Sequence, residues 1–330
     1  RLASHEPLLV VGTHALVQDA TRFGRLGLVI VDEQHRFGVE QRKALSAKGG
    51  DPDVLLMSAT PIPRSLALTM HGDLDVSILD EKPPGRVPVT TVRRPEAGRA
   101  RVLAFLRQQV EAGRQAYIVY PVIEESEKSD LRAAVQMHEE LVGGALAGLR
   151  VGLLHGKLAG DAKDDVMRRF LARELDVLVA TTVIEVGIDV PNATVMIIEH
   201  PERFGLSQLH QLRGRVGRGG GESFCILLGD VSPDSAERLD IFVGTEDGFA
   251  IARADLALRG MGDLFGERQH GEAGFRVADP LRDEALVPIA QAVAQRIVDT
   301  DPELRRAEHA ALRAMLGQRY ARAIELFRVG

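Results

Sequence analysis

Cysteine is nearly absent from these 330 residues, and tryptophan is absent altogether. The single cysteine, Cys225, excludes an internal disulfide and fits a reducing cytoplasm. It lies in the apolar run Phe224-Cys225-Ile226-Leu227-Leu228, where a buried strand residue is expected rather than a redox centre. No apolar run approaches the roughly 20 residues that span a bilayer, and no charged-then-apolar leader opens the chain. Positive charge is not in excess either, the formal net charge being −6. Nucleic acid, if bound, must therefore be met by basic residues gathered locally. The ten histidines lack metal-ligand spacing. Also missing is the phosphate-cradling sequence G-x-x-x-x-G-K-[ST]. Gly152 to Leu158 contains Gly156-Lys157, but the spacing is short and no Ser or Thr follows.

What is present is an ordinary globular composition, 45% hydrophobic and 27% charged, long enough for two cores. Strand candidates fall at 8–12, 27–32, 54–58, 89–93, 116–120, 150–154, 177–181, 194–198 and 223–228. Leu28-Val29-Ile30-Val31, Val177-Leu178-Val179-Ala180 and Val195-Met196-Ile197-Ile198 are apolar throughout. Such runs mark strands buried on both faces of a parallel sheet, and helical patterns alternate with them. The expected fold class is α/β, parallel sheets with helices on both faces. Pro83, Pro84, Gly85 and Pro88 break that rhythm and read as a linker. Only three strands precede it, and the first residues run straight into Leu8-Leu9-Val10-Val11. Both features read as a fragment whose first domain is incomplete. After residue 232 the pattern is helical: a pair at 233–244 and 248–259, a glycine-rich loop, then a tail with Ile289, Val293 and Ile297 on one face.

Four constellations carry chemistry. Asp32-Glu33-Gln34-His35 follows an apolar strand, at the end where open α/β sheets bind ligands. Asp32 could hold Mg²⁺ through water, and Glu33 could orient or deprotonate a water attacking a phosphate. Alone, the pair is equally an ordinary strand-to-loop pair. Ser58-Ala59-Thr60-Pro61 follows the next strand, and its hydroxyls could bridge the carboxylates to a polynucleotide-contacting element. In Thr181-Thr182-Val183-Ile184-Glu185, Thr182 and Glu185 form a capping box whose helix amides would face a phosphate. Gln211-Leu212-Arg213-Gly214-Arg215-Val216-Gly217-Arg218-Gly219 interleaves arginines with glycines. Arginine's bidentate fork suits polyphosphate, although a flexible basic loop would look the same. Gly217 to Gly221 reads as a flexible exit from that element.

Taken together and in this order, these stretches resemble the motor of superfamily 2 helicases. Finer likeness lies in Arg36-Phe37-Gly38-Val39-Glu40-Gln41-Arg42, Ala59-Thr60-Pro61-Ile62-Pro63-Arg64 and Glu199 to His210. The stretches Asp247 to Asp263 and Gly266 to His270 extend it. These resemble the bacterial RecG-type branch-migration helicases, with Met261 standing where proline is expected. The resemblance implies two RecA-like domains binding ATP and Mg²⁺, at 1–82 and 89–232 with the linker 83–88 between. A helical hairpin with a hook loop would occupy 233–275 and a helical tail 276–330. It implies Glu33, Arg215 and Arg218 as catalytic residues, the two arginines acting as fingers. Asp32, Gln211, Gly187 and Asp189 would bind the nucleotide, with Asp32 on the metal. Thr13, His14, Ser58, Thr60, Thr181, Thr182, Arg268 and Gln269 would contact DNA or couple closure to movement. The implied partner of the whole protein is branched duplex DNA, forks and Holliday junctions, remodelled in the bacterial cytoplasm at the nucleoid. The motor would be monomeric, with a single-stranded DNA-binding protein as a further partner. Without its phosphate loop the piece alone would be inactive. Two alternatives stand beside this: the related transcription-repair coupling translocase, which typically has Glu where Gln34 stands, and a non-catalytic docking module.

Overall fold

Four strands of the second half are buried almost end to end, and the arrangement of their neighbours explains why. The computed structural model of the chain describes residues 7–18, 21–33, 52–59, 75–81, 85–121, 127–181, 189–259 and 282–318. The chain divides into two compact units: Arg1–Thr60 with Arg64–Asp75 and Val277–Gly330, and Pro61–Pro63 with Val76–Arg276.

In the second unit six strands form one sheet: β3 (Val89–Arg94), β4 (Gln115–Val119), β5 (Val151–Leu154), β6 (Val177–Ala180), β7 (Ala193–Glu199) and β8 (Ser223–Leu228). Their order is β3-β8-β7-β4-β6-β5 and every pairing is parallel. Alternate side chains feed two separate cores. Tyr117, Val119, Leu178, Met196, Ile198, Cys225 and Leu227 enter one core. Ala116, Ile118, Val177, Val179, Val195, Ile197 and Ile226 enter the other. The first core is closed by α3 (Gly160–Leu171), α4 (Leu206–Arg213), α5 (Pro233–Gly244) and α6 (Gly248–Arg259). The second is closed by α1 (Arg99–Glu111) and α2 (Glu127–Gly143). Cys225 is fully buried, as its apolar run suggests, and burial pushes its thiol up to about 12.

The helical pair falls where the sequence places it. Ser232 caps α5 by accepting from the Ser235 amide at 3.3 Å, with Pro233 in the first turn. Ile251 and Leu256 of α6 are buried, whereas Leu258 is 49% exposed.

The first unit differs from expectation twice. Its sheet has two parallel strands among the described residues, β1 (Leu28–Val31) and β2 (Asp53–Leu56). Residues 8–12 form no strand; Leu9 and Val11 are about nine-tenths exposed, and among the described residues no strand pairs with them. β1 was expected to be buried on both faces, yet only Val29 and Val31 are buried while Leu28 and Ile30 lie open. The tail contains α7 (Val287–Thr300), whose Ile289 and Val293 stripe is also exposed. Behind it, Asp301 accepts from the amides of Arg305 and Arg306 at 2.8 and 2.9 Å and from His309 Nδ1 at 2.7 Å. This polar knot starts the helix at 310–318.

Candidate functional site

In the first unit the register ends at Val31↔Leu56, with Asp32 and Glu33 directly after one strand and Met57 and Ser58 directly after the other. The ladder runs one bond further, the Met57 amide donating to the Val31 carbonyl at 2.8 Å. Both expected carboxylates and Ser58 therefore stand at the carboxyl end of adjacent parallel strands. Asp32 is exposed, and its Oδ1 accepts the Glu33 amide at 2.8 Å. That bond turns the chain sharply enough to hold Glu33 at φ 54, in the left-handed region. A glutamate there is strained by about 1–3 kcal/mol, and such strain gathers at functional turns. Asp32 Oδ2 has no partner among the described residues. An exposed carboxylate of this kind fits a hard divalent cation held through water, which asks for few protein ligands. The described residues contain no cluster of three or more metal-ligating side chains. Thr13 is exposed; its carbonyl accepts the Leu16 amide at 3.0 Å, opening the short turn His14–Leu16. Thr60 lies outside the described residues.

The second unit spreads its candidates over two opposite rims of the sheet. At the carboxyl rim, Thr181 follows β6 and donates its amide to the Leu154 carbonyl at 3.1 Å. Its side chain is buried, with Oγ1 lacking a hydrogen-bond partner. Thr182 and Gly187, and with them the expected capping box, lie outside the described residues.

At the amino rim stand Asp189, Arg215 and Arg218. Asp189 precedes β7, and Arg218 Nη1 meets its Oδ1 at 3.6 Å while Arg218 Nε donates to the Gly214 carbonyl at 2.9 Å. Arg215 is half-buried, and so is Gln211 on α4. Burial pushes the Tyr117 hydroxyl upward, and the charges of Arg215, Asp189 and Arg218 all act on it, so the three share one neighbourhood. The glycines here are not a flexible exit. Gly217, at φ 82, lies so close to β3 that a Cβ would sit 2.9 Å from Val89 Cγ2, and one on Gly219 would strike the Pro191 carbonyl. Close packing against two strand starts fixes the arginine loop along this rim.

Three family models match: DEAD/DEAH box helicase over residues 1–69, helicase conserved C-terminal domain over 99–220, and ATP-dependent DNA helicase RecG, domain 3, C-terminal, over 245–326. The chain is 55% identical over 88% of its length to ATP-dependent DNA helicase RecG of Thermotoga maritima, covering 37% of that protein. It is 51% identical over 95% of its length to the Bacillus subtilis protein of the same name, covering 46% of it. A solved structure of RecG bound to a three-way DNA junction superposes on 87% of the chain with a TM-score of 0.66 and 51% identity, covering 37% of that structure's chain.

The chain belongs to the RecG-type helicases. It spans 37% and 46% of the length of these two curated relatives. Among the described residues no helix is long and apolar enough to cross a membrane.

Two features of this RecG-type chain escaped the sequence reading. Arg213, read there together with Arg215 and Arg218 as part of one arginine-glycine element, is 4% exposed. Its Nη1 donates to the carbonyls of Phe242 and Thr245 at 3.0 and 2.9 Å, and its guanidinium lies 4.2 Å from the Phe242 ring centroid. It thereby closes the end of α5 and ties α4 to the hairpin; burial lowers its pKa. The second is Glu199, 1% exposed at the carboxyl end of β7 and held by Arg99 through bonds of 2.8 and 2.7 Å. Tyr120 donates to it at 3.4 Å. A carboxylate closing a strand of buried apolar residues requires such a partner, and that signal was present in the sequence. Arg268 and Gln269 lie outside the described residues.

Proposed function

We propose that this chain is the motor portion of an ATP-dependent DNA helicase that remodels stalled forks and branch-migrates Holliday junctions. The observation that carries the reading is the turn at the end of β1. There Asp32 bonds the amide of a left-handed Glu33, and Ser58 follows the end of the neighbouring strand. The names of the relatives, and the junction on which one of them was solved, supply the substrate class.

In this reading residues 1–82 belong to one RecA-like domain and 89–232 to a second, with 83–88 as linker. Residues 233–275 form the hairpin and hook, and 276–330 the tail. Mg²⁺, when bound with ATP, neutralises phosphate charge, and Asp32 is the residue that would hold it through water. Glu33 accepts the proton of the attacking water, its carboxylate aimed by the strained turn. Arg215 and Arg218 place fixed positive charge against the transferring phosphoryl group, with Gln211, Gly187 and Asp189 around the nucleotide. Arg218 must first leave Asp189, a half-exposed pair worth no more than about 1 kcal/mol, so its release is cheap. Thr13, His14, Ser58, Thr60, Thr181 and Thr182 contact DNA, while Arg268 and Gln269 couple closure to movement. The protein works as a monomer in the bacterial cytoplasm, at the nucleoid, with a single-stranded DNA-binding protein as a further partner.

The test uses the intact protein with forked DNA. Glu33→Gln keeps nucleotide binding and loses hydrolysis, and Arg215→Ala or Arg218→Ala slows turnover by about 10³–10⁵. Rates within about threefold of wild type in all three variants, under 1 kcal/mol of barrier, would remove these roles. The 330-residue chain alone shows no DNA-stimulated hydrolysis; turnover above background would contradict the need for a phosphate loop outside it.

A further inference from the structure

Among the described residues the sheet of the second unit ends at β3, which pairs with β8 alone. Along one face of these two strands, beside α1, runs an open cleft of about 660 Å³. Its floor is apolar: Val92, Phe105, Phe224 and Ile226. Phe105 and Phe224 meet edge to face, 5.0 Å between centroids. Arg94 and Arg101 stand at its margin, and the lining contains no carboxylate. Arg101 is exposed and makes no hydrogen bond or ion pair among the described residues. Arg94 is also exposed; among the described residues its guanidinium donates only to the Arg93 carbonyl, at 2.9 Å. A neighbouring cleft at the start of α1 shows the opposite arrangement, with Arg99 set among Glu96, Glu140 and Asp230. Two guanidinium groups without counter-ions, over an aromatic floor and beside a strand with one free edge, call for a specific kind of occupant. It must be extended, bring negative charge and carry large apolar side chains.

We propose that this cleft docks an acidic, aromatic-bearing segment of a partner protein in extended conformation alongside β3. The backbone groups of β3 that face away from β8 are those of Val89, Thr91 and Arg93. Glu246 takes the Val89 amide at 2.5 Å, Thr91 Oγ1 donates to the Val89 carbonyl at 3.2 Å and Arg94 to the Arg93 carbonyl at 2.9 Å. This leaves the amide and carbonyl of Thr91 and the Arg93 amide for pairing. Apolar side chains of the peptide fill the floor over Phe105 and Phe224, and its carboxylates meet Arg94 and Arg101 in charge-assisted bonds. Nucleic acid suits the cleft less well. The two rings are turned edge to face onto each other instead of presenting a stacking platform, and two arginines are few for a polyanion.

The test titrates a fluorescein-labelled peptide alternating aspartate and phenylalanine with the intact protein, following anisotropy. Saturable binding in the micromolar range is expected, weakened at least about tenfold by the double change Arg94→Glu and Arg101→Glu. The reversed protein should instead bind the peptide in which lysine replaces aspartate. Hydrogen exchange gives a reading free of variants: the bound peptide slows exchange of amides within Thr90 to Arg94. Absence of saturation, a change below about twofold on charge reversal, or unaltered exchange in β3 would each overturn the proposal. So would displacement of the peptide by an oligothymidine that loses affinity with the same double variant, because the cleft would then be a nucleic-acid site.

Discussion

The two sheets answer the same sequence signal in different ways. Leu28 to Val31 and Val195 to Ile198 are both four-residue apolar runs in parallel strands. In β7 every residue is buried, because α4 and α5 cover one face and α1 the other. In β1, Leu28 and Ile30 are 57% and 54% exposed. An unbroken apolar run therefore states what a strand requires on both sides, and burial depends on whether other elements supply it.

The largest expected effect tests this directly. Ile198→Ala, in the closed core, should cost about 2–5 kcal/mol of unfolding free energy, whereas Ile30→Ala in the 330-residue chain should cost under about 1. Denaturant titration of both variants checks it, and equal costs would break the contrast. Repeating Ile30→Ala in the intact protein sharpens it: a cost rising toward that of Ile198 identifies a face covered by residues outside this chain.

Arg213→Ala comes next, at about 2–3 kcal/mol, because it leaves buried carbonyls of Phe242 and Thr245 without a donor. Hydrogen exchange should show α5 and α6 losing protection while β1 and β2 stay unchanged. Unaltered protection in the hairpin would mean that apolar contacts with α4 suffice without the arginine.

The smallest effect concerns the first unit's tail, which is held by polar bonds instead of a closed core. Burial opposes the charge on Asp301, but bonds from His309 and the amides of Arg306 and Arg305 outweigh it and hold the carboxyl at about 2. The folded value lies below the ordinary 3.8, so the contribution is present above that value and is lost as pH falls toward 2. Helical signal from the tail should decline over that interval in the parent and be flat in Asp301→Asn. A decline of the same size in the asparagine variant would place the titration elsewhere.

The sequence made the second sheet legible because each of its apolar runs does find cover. The hairpin was legible because Ser232-Pro233 is a strong start signal and the 245–247 break separates the two helices. Residues 8–12 misled because strand composition says nothing about whether a partner strand is at hand. What was legible in the candidate site is its local part, the placing of Asp32, Glu33 and Ser58 at the carboxyl ends of adjacent strands. The site was not legible where a role depends on distant neighbours. Nothing next to Arg213 distinguishes it from Arg215, and only the carbonyls of Phe242 and Thr245, about 30 positions on, set it apart. The glycines after Arg215 read as freedom, since the Pro191 carbonyl that leaves no room for a side chain on Gly219 is far away in sequence.

The placement of Thr181 and Asp189 on opposite rims has a mechanical consequence. The four residues of β6 span roughly 13 Å at about 3.3 Å each, and the layer between the rims is close-packed on both faces. Such a layer resists internal shear, so a tilt imposed at one rim would be carried as a rigid rotation, and the opposite rim would swing by an amount set by that lever arm. A few degrees of tilt at the arginines would amount to about an ångström of travel at Thr181, with no wire of side chains needed between them.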